Sequence, residues 1–328
     1  MVRAVALSQK TSWLVDEYQT SHGGYDFTHF VVHHGGGSSS LDGVDARDVW
    51  LRFHGSGPLD AVKARSSLDQ SLEWIVDSGD ERTIYAFITT ETTHGGFHSL
   101  CADEAAGINT RHEHGDWGYA LVGGAALDRH LTRLGAYGYD PAVSRLTAVG
   151  YSDGGWLASM CALRGVARRA VAWAGWSFDG FARWRHLLPR NDIYGMRLDL
   201  YVSAGDAFYN GTSGWYPPAG HIGSMRYGVD QLARFFALEA QPTQTMLIAD
   251  VTVERTVFRN HARDNEVRLH IDLDAQHDHA WLRNASGVLR ETAGLGPRAP
   301  PRTHVSTTST SSWTRCHVVP EVELLEVV

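Results

Sequence analysis

The sequence predicts a protein of the α/β class, in which a mainly parallel sheet is covered by helices on both faces. Segments of strand character alternate with segments of helical period along the 328 residues. Of these residues 43% are hydrophobic, which is enough for one large domain with a substantial core. Several of the predicted strands end in polar loops, and ligands of α/β proteins bind at such strand ends.

The predicted elements succeed one another in the order that this class requires. Residues 1–27 are a mixed lead-in with one or two edge strands, and residues 30–33 are the first clear core strand. Further strands are predicted at 82–90, 144–149, 169–176, 198–204 and 267–273, and helices at 61–76, 117–137, 154–164 and 225–238.

The segment 150–155 reads Gly-Tyr-Ser-Asp-Gly-Gly and joins a predicted strand to a predicted helix. A serine on a sharp strand-to-helix turn is the arrangement called a nucleophile elbow. The helix that follows directs its free N–H groups and its dipole toward the serine, so an oxyanion formed there is stabilised. Ser152 is therefore a candidate nucleophile. The alternative is a glycine-rich turn with a serine N-cap.

A second glycine-rich segment follows the first clear core strand. His34 is followed by Gly35, Gly36 and Gly37. Glycine lets the main chain approach a substrate carbonyl closely, and loops of this kind supply the second oxyanion N–H in some hydrolases. The alternative is a flexible Gly/Ser loop.

An acid and a base follow Ser152 in the chain. Asp206 comes directly after the predicted strand at 198–204, where a carboxylate can orient a histidine. His277 and His279 lie in the loop after the strand at 267–273, and either can serve as the general base. Asp at a turn is common, so the position of Asp206 is a weak signal by itself.

Together these segments resemble the polyhydroxybutyrate depolymerase/feruloyl esterase group of α/β-hydrolases over residues 28–285. The group reads His-Gly-Cys-Gly, Gly-x-Ser-(Asn/Asp)-Gly-Gly, Gly-x-x-Asp and Gly-His-x-Trp. The counterparts here are His34–Gly37, Gly150–Gly155, Gly205–Asp206 and His279–Trp281. The position of Trp281 favours His279 over His277. The chain departs from the group at Gly36, where the group has cysteine.

The resemblance implies the α/β-hydrolase fold, with loop or cap insertions at the carboxyl ends of the strands, and a serine carboxylic-ester hydrolase that needs no cofactor. Ser152 would attack the ester, His279 would act as base, and Asp206 would orient His279. Backbone N–H groups of Gly36 and Asp153 would form the oxyanion hole. The substrate would be a polyester, a feruloyl or acetyl ester, or a lipid ester. A peptidase or amidase on the same fold and a non-catalytic binding module are the alternatives.

Two aromatic-rich segments, at about 177–197 and 207–222, read as cap-like insertions after strand ends. Their side chains are candidates for lining the substrate pocket, although ordinary packing beneath long loops would look the same. The candidate substrate contacts are Trp184, Trp215 and Tyr216 from these insertions, together with His34 and Trp281.

The catalytic domain is expected to span residues 1–295, followed by a linker and tail at 296–328. The linker contains three prolines and two arginines within residues 297–302, and the last eleven residues alternate apolar and acidic side chains. Such a tail could add an edge strand, dock on a partner or join two copies into a homo-oligomer. Disorder of its first half is the alternative.

Composition excludes several other classes. The net charge is −8 and no basic stripe is visible, so no nucleic-acid partner is expected. No apolar run reaches membrane-spanning length. Residues 1–20 lack the apolar core of a signal peptide, which makes the cytoplasm the default compartment, with release or non-standard export as the alternative. Three scattered cysteines do not form a disulfide framework.

The sequence holds 18 histidines, and some of them cluster outside the segments described above. His94, His98, His112, His114 and Asp116 have types and spacings that can bind zinc. A polar loop near the mouth of the active site is the favoured interpretation, because nothing places these residues on a rigid element. No metal is therefore expected.

Overall fold

The computed structural model describes residues 5–6, 12–22, 25–35, 46–53, 80–90, 125–151, 153–174, 193–205, 221–248 and 251–273. The chain divides into two compact units, Met1–Leu295 and Gly296–Val328. All the described residues belong to the first unit.

Twelve strands among the described residues form one sheet. Their order across the sheet is β1-β2-β3-β5-β4-β6-β7-β8-β12-β11-β10, and β9 pairs with β11. The strands are β1 (Val5–Ala6), β2 (Trp13–His22), β3 (Tyr25–His34), β4 (Asp48–Phe53), β5 (Thr83–Thr90), β6 (Leu146–Tyr151), β7 (Arg169–Trp173), β8 (Arg197–Ser203), β9 (Glu239–Ala240), β10 (Gln244–Ile248), β11 (Val251–Asn260) and β12 (Asn265–Asp272).

The centre of the sheet is parallel. Strands β5, β4, β6, β7, β8 and β12 are neighbours in that order and run in one direction. Their last residues therefore share one edge of the sheet, the carboxyl edge, and their first residues share the opposite amino edge. Strand β3 runs antiparallel to β5, so β3 ends at the amino edge. Strands β2, β11 and β10 extend the sheet with antiparallel pairs.

Three α-helices are described: α1 (Ala125–Leu134), α2 (Asp153–Leu163) and α3 (His221–Phe235). Helix α1 continues into a 3-10 turn, Gly135–Tyr137, which ends at Gly138 with a φ of 98°. Every residue of α2 from Gly154 to Leu163 is buried. A helix that is apolar on all sides is found in the interior of a protein, and the composition of α2 explains its central position.

The three helices pack on one face of the sheet and form the main core with the strand residues on that face. Strand side chains of alternate register contribute to it, for example Leu198, Leu200 and Val202 of β8. The opposite face is also buried, because Trp173 and Tyr201 are 3% exposed. Strands of a parallel sheet are expected to be covered on both sides, and the long apolar runs of β6 and β8 follow from this.

Two polar side chains at the amino edge, Asp48 and Asn265, form hydrogen bonds that fix the pairing of the parallel strands. The carboxylate of Asp48, on β4, accepts hydrogen bonds from the backbone N–H and the Nε–H of Arg145, both at 2.9 Å. The buried Asn265 side chain, at the start of β12, donates to the Ile193 carbonyl at 2.8 Å and accepts from the Met196 N–H at 3.0 Å. Both side chains bind backbone groups at the strand ends, and those bound by Asn265 would otherwise be buried without partners.

The structure confirms the expected mainly parallel α/β architecture and most of its elements. The predicted strand at 144–149 is β6, shifted by two residues, and the helix at 154–164 is α2, shifted by one. Within the predicted helix 117–137, the described part begins at Ala125. The predicted helix at 61–76 lies outside the described residues. Strand β4 is a finding that the sequence interpretation missed.

Candidate functional site

The turn between β6 and α2 is as sharp as the sequence predicts. Strand β6 ends at Tyr151 and helix α2 begins at Asp153, so a single residue, Ser152, joins them. A Cβ atom on Gly150 would lie 1.9 Å from the carbonyl oxygen of Gly154 and 2.6 Å from the N atom of Gly155. The turn is therefore possible only with glycine at position 150. Ser152 itself lies outside the described residues.

The strands that precede the predicted acid and base end at the same edge as β6. Strand β8 pairs in parallel with β12, with Ser203 opposite Asp272, and the N–H of Ala204 donates to the carbonyl oxygen of Asp272 at 2.7 Å. Neighbouring strands are about 4.8 Å apart, so β8 lies roughly 10 Å from β6 and β12 about 5 Å further. Short loops from the ends of β8 and β12 can therefore reach the turn after β6.

A buried cluster of aromatic side chains lies on the sheet next to these strand ends. The ring of Tyr201 stacks on His270 with a centroid separation of 4.2 Å, and it also stacks on Trp173 at 5.8 Å. Nε2 of His270 lies 3.2 Å from Oδ1 of the buried Asp199. Burial lowers the pKa of His270 and outweighs the opposing effect of Asp199. His270 is thus uncharged at neutral pH and held in place within this aromatic cluster, next to the carboxyl edge of the sheet.

The position of the His34–Gly37 segment corrects one sequence expectation. Strand β3 ends at His34, at the amino edge, where Nε2 of His34 lies 3.7 Å from Glu81, just before β5. Arg47, just before β4, donates from Nη1 to the His34 carbonyl at 3.5 Å. His34 is therefore far from the carboxyl edge and does not line a substrate pocket there.

Gly36, which is expected to form part of the oxyanion hole, lies outside the described residues. The residue before it, Gly35, donates its N–H to the Ser12 carbonyl at 2.6 Å, at the start of β2 and therefore at the amino edge. Strand β6 ends at the opposite, carboxyl edge, and its six residues extend over roughly 17–20 Å. The end of β3 therefore gives no support to a role of Gly36 in the oxyanion hole.

Strand β4 ends at the carboxyl edge, and a different glycine-rich segment follows it in the sequence. Phe53, its last residue, pairs with Gly150, two residues before Ser152. The sequence continues as His54-Gly55-Ser56-Gly57, and these four residues lie outside the described part of the chain. The signal that could have revealed this segment is the apolar alternation of β4 directly followed by His-Gly-x-Gly. It was missed because the first His-Gly-Gly-Gly segment matched the expected pattern more fully.

The remaining predicted site residues are not placed by the structure. Asp153 is the first residue of α2, and its side chain lies outside the described atoms. The triad candidates and pocket candidates Asp206, His277, His279, Trp184, Trp215, Tyr216 and Trp281 lie outside the described residues.

The other nucleophilic side chain near the turn is buried and unreactive. Cys161 lies on α2 and is fully buried, and burial raises the pKa of its thiol to about 12. Its side chain belongs to the main hydrophobic core. A thiol with so high a pKa remains protonated and does not act as a nucleophile.

Metal binding has no support in the part of the chain that is described. No group of three or more His, Cys, Asp or Glu side chains within that part could hold a metal ion. The histidine cluster that includes His94 and His114 lies outside it. None of the described helices has the length and apolar character needed to cross a bilayer.

The chain resembles solved structures in its fold, although its sequence matches no known family. No family model and no curated protein sequence matches the chain. An S-formylglutathione hydrolase from Agrobacterium tumefaciens is similar in structure with a TM-score of 0.52 and 9% identity, over 89% of this chain and 98% of that one. The chain has the α/β-hydrolase fold.

Two further α/β-hydrolase structures resemble the chain more weakly. One is a zinc-bound cold-adapted esterase from an Arctic intertidal metagenomic library, with a TM-score of 0.47 and 13% identity, over 87% of this chain and 96% of that one. The other is the feruloyl esterase module from Clostridium thermocellum, with a TM-score of 0.46 and 11% identity, over 88% of this chain and 92% of that one. The predicted resemblance to α/β-hydrolases is confirmed at the level of the fold by the S-formylglutathione hydrolase structure.

Proposed function

We propose that the chain is a serine carboxylic-ester hydrolase. The observation that carries the proposal is the turn after β6, where Gly150 packs against the first turn of α2 and only one residue, Ser152, joins strand to helix. A strained strand-to-helix turn of this kind exposes a serine Oγ above the sheet. The α/β-hydrolase fold, shared with an S-formylglutathione hydrolase, adds support.

In the proposed reaction Ser152 Oγ attacks the ester carbonyl carbon while His279 accepts the hydroxyl proton. The tetrahedral intermediate collapses to an acyl-enzyme, and the alcohol leaves with the proton from His279. Water, deprotonated by His279, then attacks the acyl-enzyme and releases the carboxylic acid and free Ser152. Asp206 orients His279 and stabilises its imidazolium form.

The oxyanion of both intermediates would be held by two backbone N–H donors. One is the N–H of Asp153, the first residue of α2, where the helix dipole adds a positive field. The second would come from the segment 54–57, because β4 is the neighbour of β6 and Phe53 pairs with Gly150. This assignment replaces Gly36. Loss of one such donor typically costs about a hundredfold or more in kcat.

The proposed substrate is an ester of one of three classes: a polyester, a feruloyl or acetyl ester, or a lipid ester. Trp184, Trp215, Tyr216 and Trp281 are proposed to contact it. Their aromatic surfaces would bind the acyl or alcohol group of an apolar ester.

The decisive experiment is labelling with a fluorophosphonate probe, followed by mass spectrometry of the labelled peptide. We expect labelling at Ser152 and abolition of p-nitrophenyl ester turnover in Ser152→Ala, with the circular dichroism spectrum unchanged. Ser159→Ala is the matched control, because Ser159 lies on α2 with its Oγ bonded to the Gly155 carbonyl at 2.9 Å. Turnover near wild type in Ser152→Ala would refute the proposal.

Two further comparisons separate the residue roles and the reaction class. His279→Ala should lose ester turnover while His277→Ala keeps it, and the reverse result would transfer the role of base to His277. Anilide substrates should be turned over far more slowly than the matching esters. Faster anilide turnover would identify an amidase or peptidase on the same fold.

A further inference from the structure

A pocket of about 280 Å³ opens on the sheet at β10, β11 and β12, away from the proposed ester site. Arg255, Arg259 and Arg268 line it, together with Gln241 and Gln244. The side chains converge because of the strand register: residues 255 and 259 share a face of β11, and Arg268 of β12 pairs with the position between them.

The charges in this arginine pocket do not balance. Arg259 and Arg268 both bind Glu266, with an Nε–Oε2 distance of 2.7 Å for Arg259. Burial alone would raise the pKa of Glu266, but its hydrogen bonds and ion pairs with the two arginines outweigh burial and lower the pKa. Glu266 is therefore ionised at neutral pH, and it neutralises one of the three guanidinium charges.

A second carboxylate near the pocket, that of Asp199, already interacts with an arginine outside the pocket. Asp199 lies 3.7 Å from Nη1 of Arg268, but it is closer to Arg169, whose Nη2 is 3.3 Å away. Asp199 thus balances Arg169, which does not line the pocket. Three arginines and no carboxylate line the pocket itself, in a protein whose net charge is −8.

Arg255 has the clearest unused binding capacity. Its Nη2 donates to the neutral Oε1 of Gln244 at 3.1 Å. Its Nε is buried and has no hydrogen-bond partner. Leaving a buried donor unsatisfied costs free energy, and an acceptor in the pocket would recover it. A guanidinium presents its N–H groups as a planar fork that fits two oxygens of one oxyanion.

We propose that the arginine pocket binds a soluble phosphomonoester. A phosphomonoester is close to a dianion at neutral pH, because its second pKa is about 6, and its charge would attract it to the three guanidinium groups of the lining. Its oxygens accept hydrogen bonds from Arg255, and the side-chain amides of Gln241 and Gln244 are further donors at the pocket. The volume accommodates the phosphate and a small organic group.

The site would be separate from ester hydrolysis. Its residues lie on and around β10, β11 and β12, and β12 is three strands away from β6, after which the proposed nucleophile comes. The bound phosphomonoester would therefore be an effector or stabilising ligand, with the ester site left open.

The test is isothermal titration calorimetry of the full chain with glycerol 3-phosphate and inorganic phosphate at low ionic strength. We expect saturable binding to wild type, at least about tenfold weaker binding to Arg255→Gln, and unchanged p-nitrophenyl ester turnover by that variant. Arg129→Gln is the control, because Arg129 lies exposed on α1 and its loss changes the net charge equally.

The outcomes that overturn the proposal are specific. Equal binding of glycerol 3-phosphate by wild type and Arg255→Gln would overturn it, and so would a wild type that binds neither soluble ligand. Binding to vesicles that contain phosphatidic acid, without binding of glycerol 3-phosphate, would identify a membrane headgroup as the source of the phosphate and reject a soluble ligand. A circular dichroism spectrum of Arg255→Gln that matches wild type ensures that lost binding is not lost folding.

Discussion

Gly150 and Gly154 are so close that a Cβ atom on Gly150 would lie 1.9 Å from the Gly154 carbonyl oxygen and 2.2 Å from its carbonyl carbon. Both contacts are with backbone, which cannot rotate away as a side chain can. The end of β6 and the first turn of α2 therefore depend on the missing side chain at position 150.

Gly150→Ala is expected to displace the first turn of α2 and with it Ser152 and the N–H of Asp153. We expect ester turnover to fall by about a hundredfold or more, since a displacement of about 1 Å in a catalytic group has effects of this size. The free energy of unfolding should fall by about 1–3 kcal/mol, as for other overpacked sites. Enzyme kinetics and urea unfolding measure the two effects.

The chain offers a matched control at Gly135. A Cβ atom there would meet nothing within 4 Å. Gly135→Ala should leave turnover and stability close to wild type. If the two variants behave alike, the turn after β6 does not position the catalytic groups.

A second prediction concerns the two glycine-rich segments that follow β3 and β4. Gly55→Ala should lower kcat for p-nitrophenyl acetate by about a hundredfold, because a side chain would stand where the substrate oxyanion meets the backbone. Gly36→Ala should leave kcat unchanged, since β3 ends at the amino edge. A loss of kcat in Gly36→Ala alone would restore the original assignment.

A third prediction follows from His29, which is completely buried between β2 and α1. Its ring lies 4.6 Å from the Tyr18 ring and 4.5 Å from the His130 ring, and its Nε2 is 2.7 Å from Thr20 Oγ1. Desolvation, with a smaller effect of the Arg133 charge, lowers the pKa of His29 to about 3. His29 is therefore neutral in the folded protein wherever the pH exceeds about 3.

The pH dependence of stability follows from this difference. In the unfolded chain the pKa of a histidine is about 6.5, so below that pH the unfolded state binds a proton that the folded state does not. Stability is fully present above about pH 6.5 and is lost as the pH falls toward 3. Between about pH 7.5 and 5.5, His29 should account for roughly 1 kcal/mol of lost stability.

Urea unfolding at the two pH values tests this effect. His29→Gln should lose roughly 1 kcal/mol less than wild type across the interval, even if it is less stable at both pH values. His261→Gln serves as control, because His261 is exposed in the hairpin between β11 and β12. An identical pH dependence in wild type and His29→Gln would contradict a neutral buried His29.

The sequence predicted the elements around the turn well because their signals are local. The apolar run before Gly150 and the buried helix after it have characteristic periods, and both were found within two residues of their expected bounds. The strands before Asp206 and His279 were likewise found, as β8 and β12. Strand β4 was missed because its six residues are few and include the charged Asp48 and Arg52, so they give only a weak strand pattern.

What the sequence by itself determined was the class of the fold, the sharp turn at Ser152 and the order of the candidate nucleophile, acid and base. These depend on residue types and on spacings along one short stretch of chain. Tertiary structure alone decided which of the two strands that precede a glycine-rich segment ends beside Gly150. The direction of a strand and its neighbours in the sheet are set by pairing with distant strands, and no local pattern distinguishes β3, which ends at the amino edge, from β4, which ends beside Gly150.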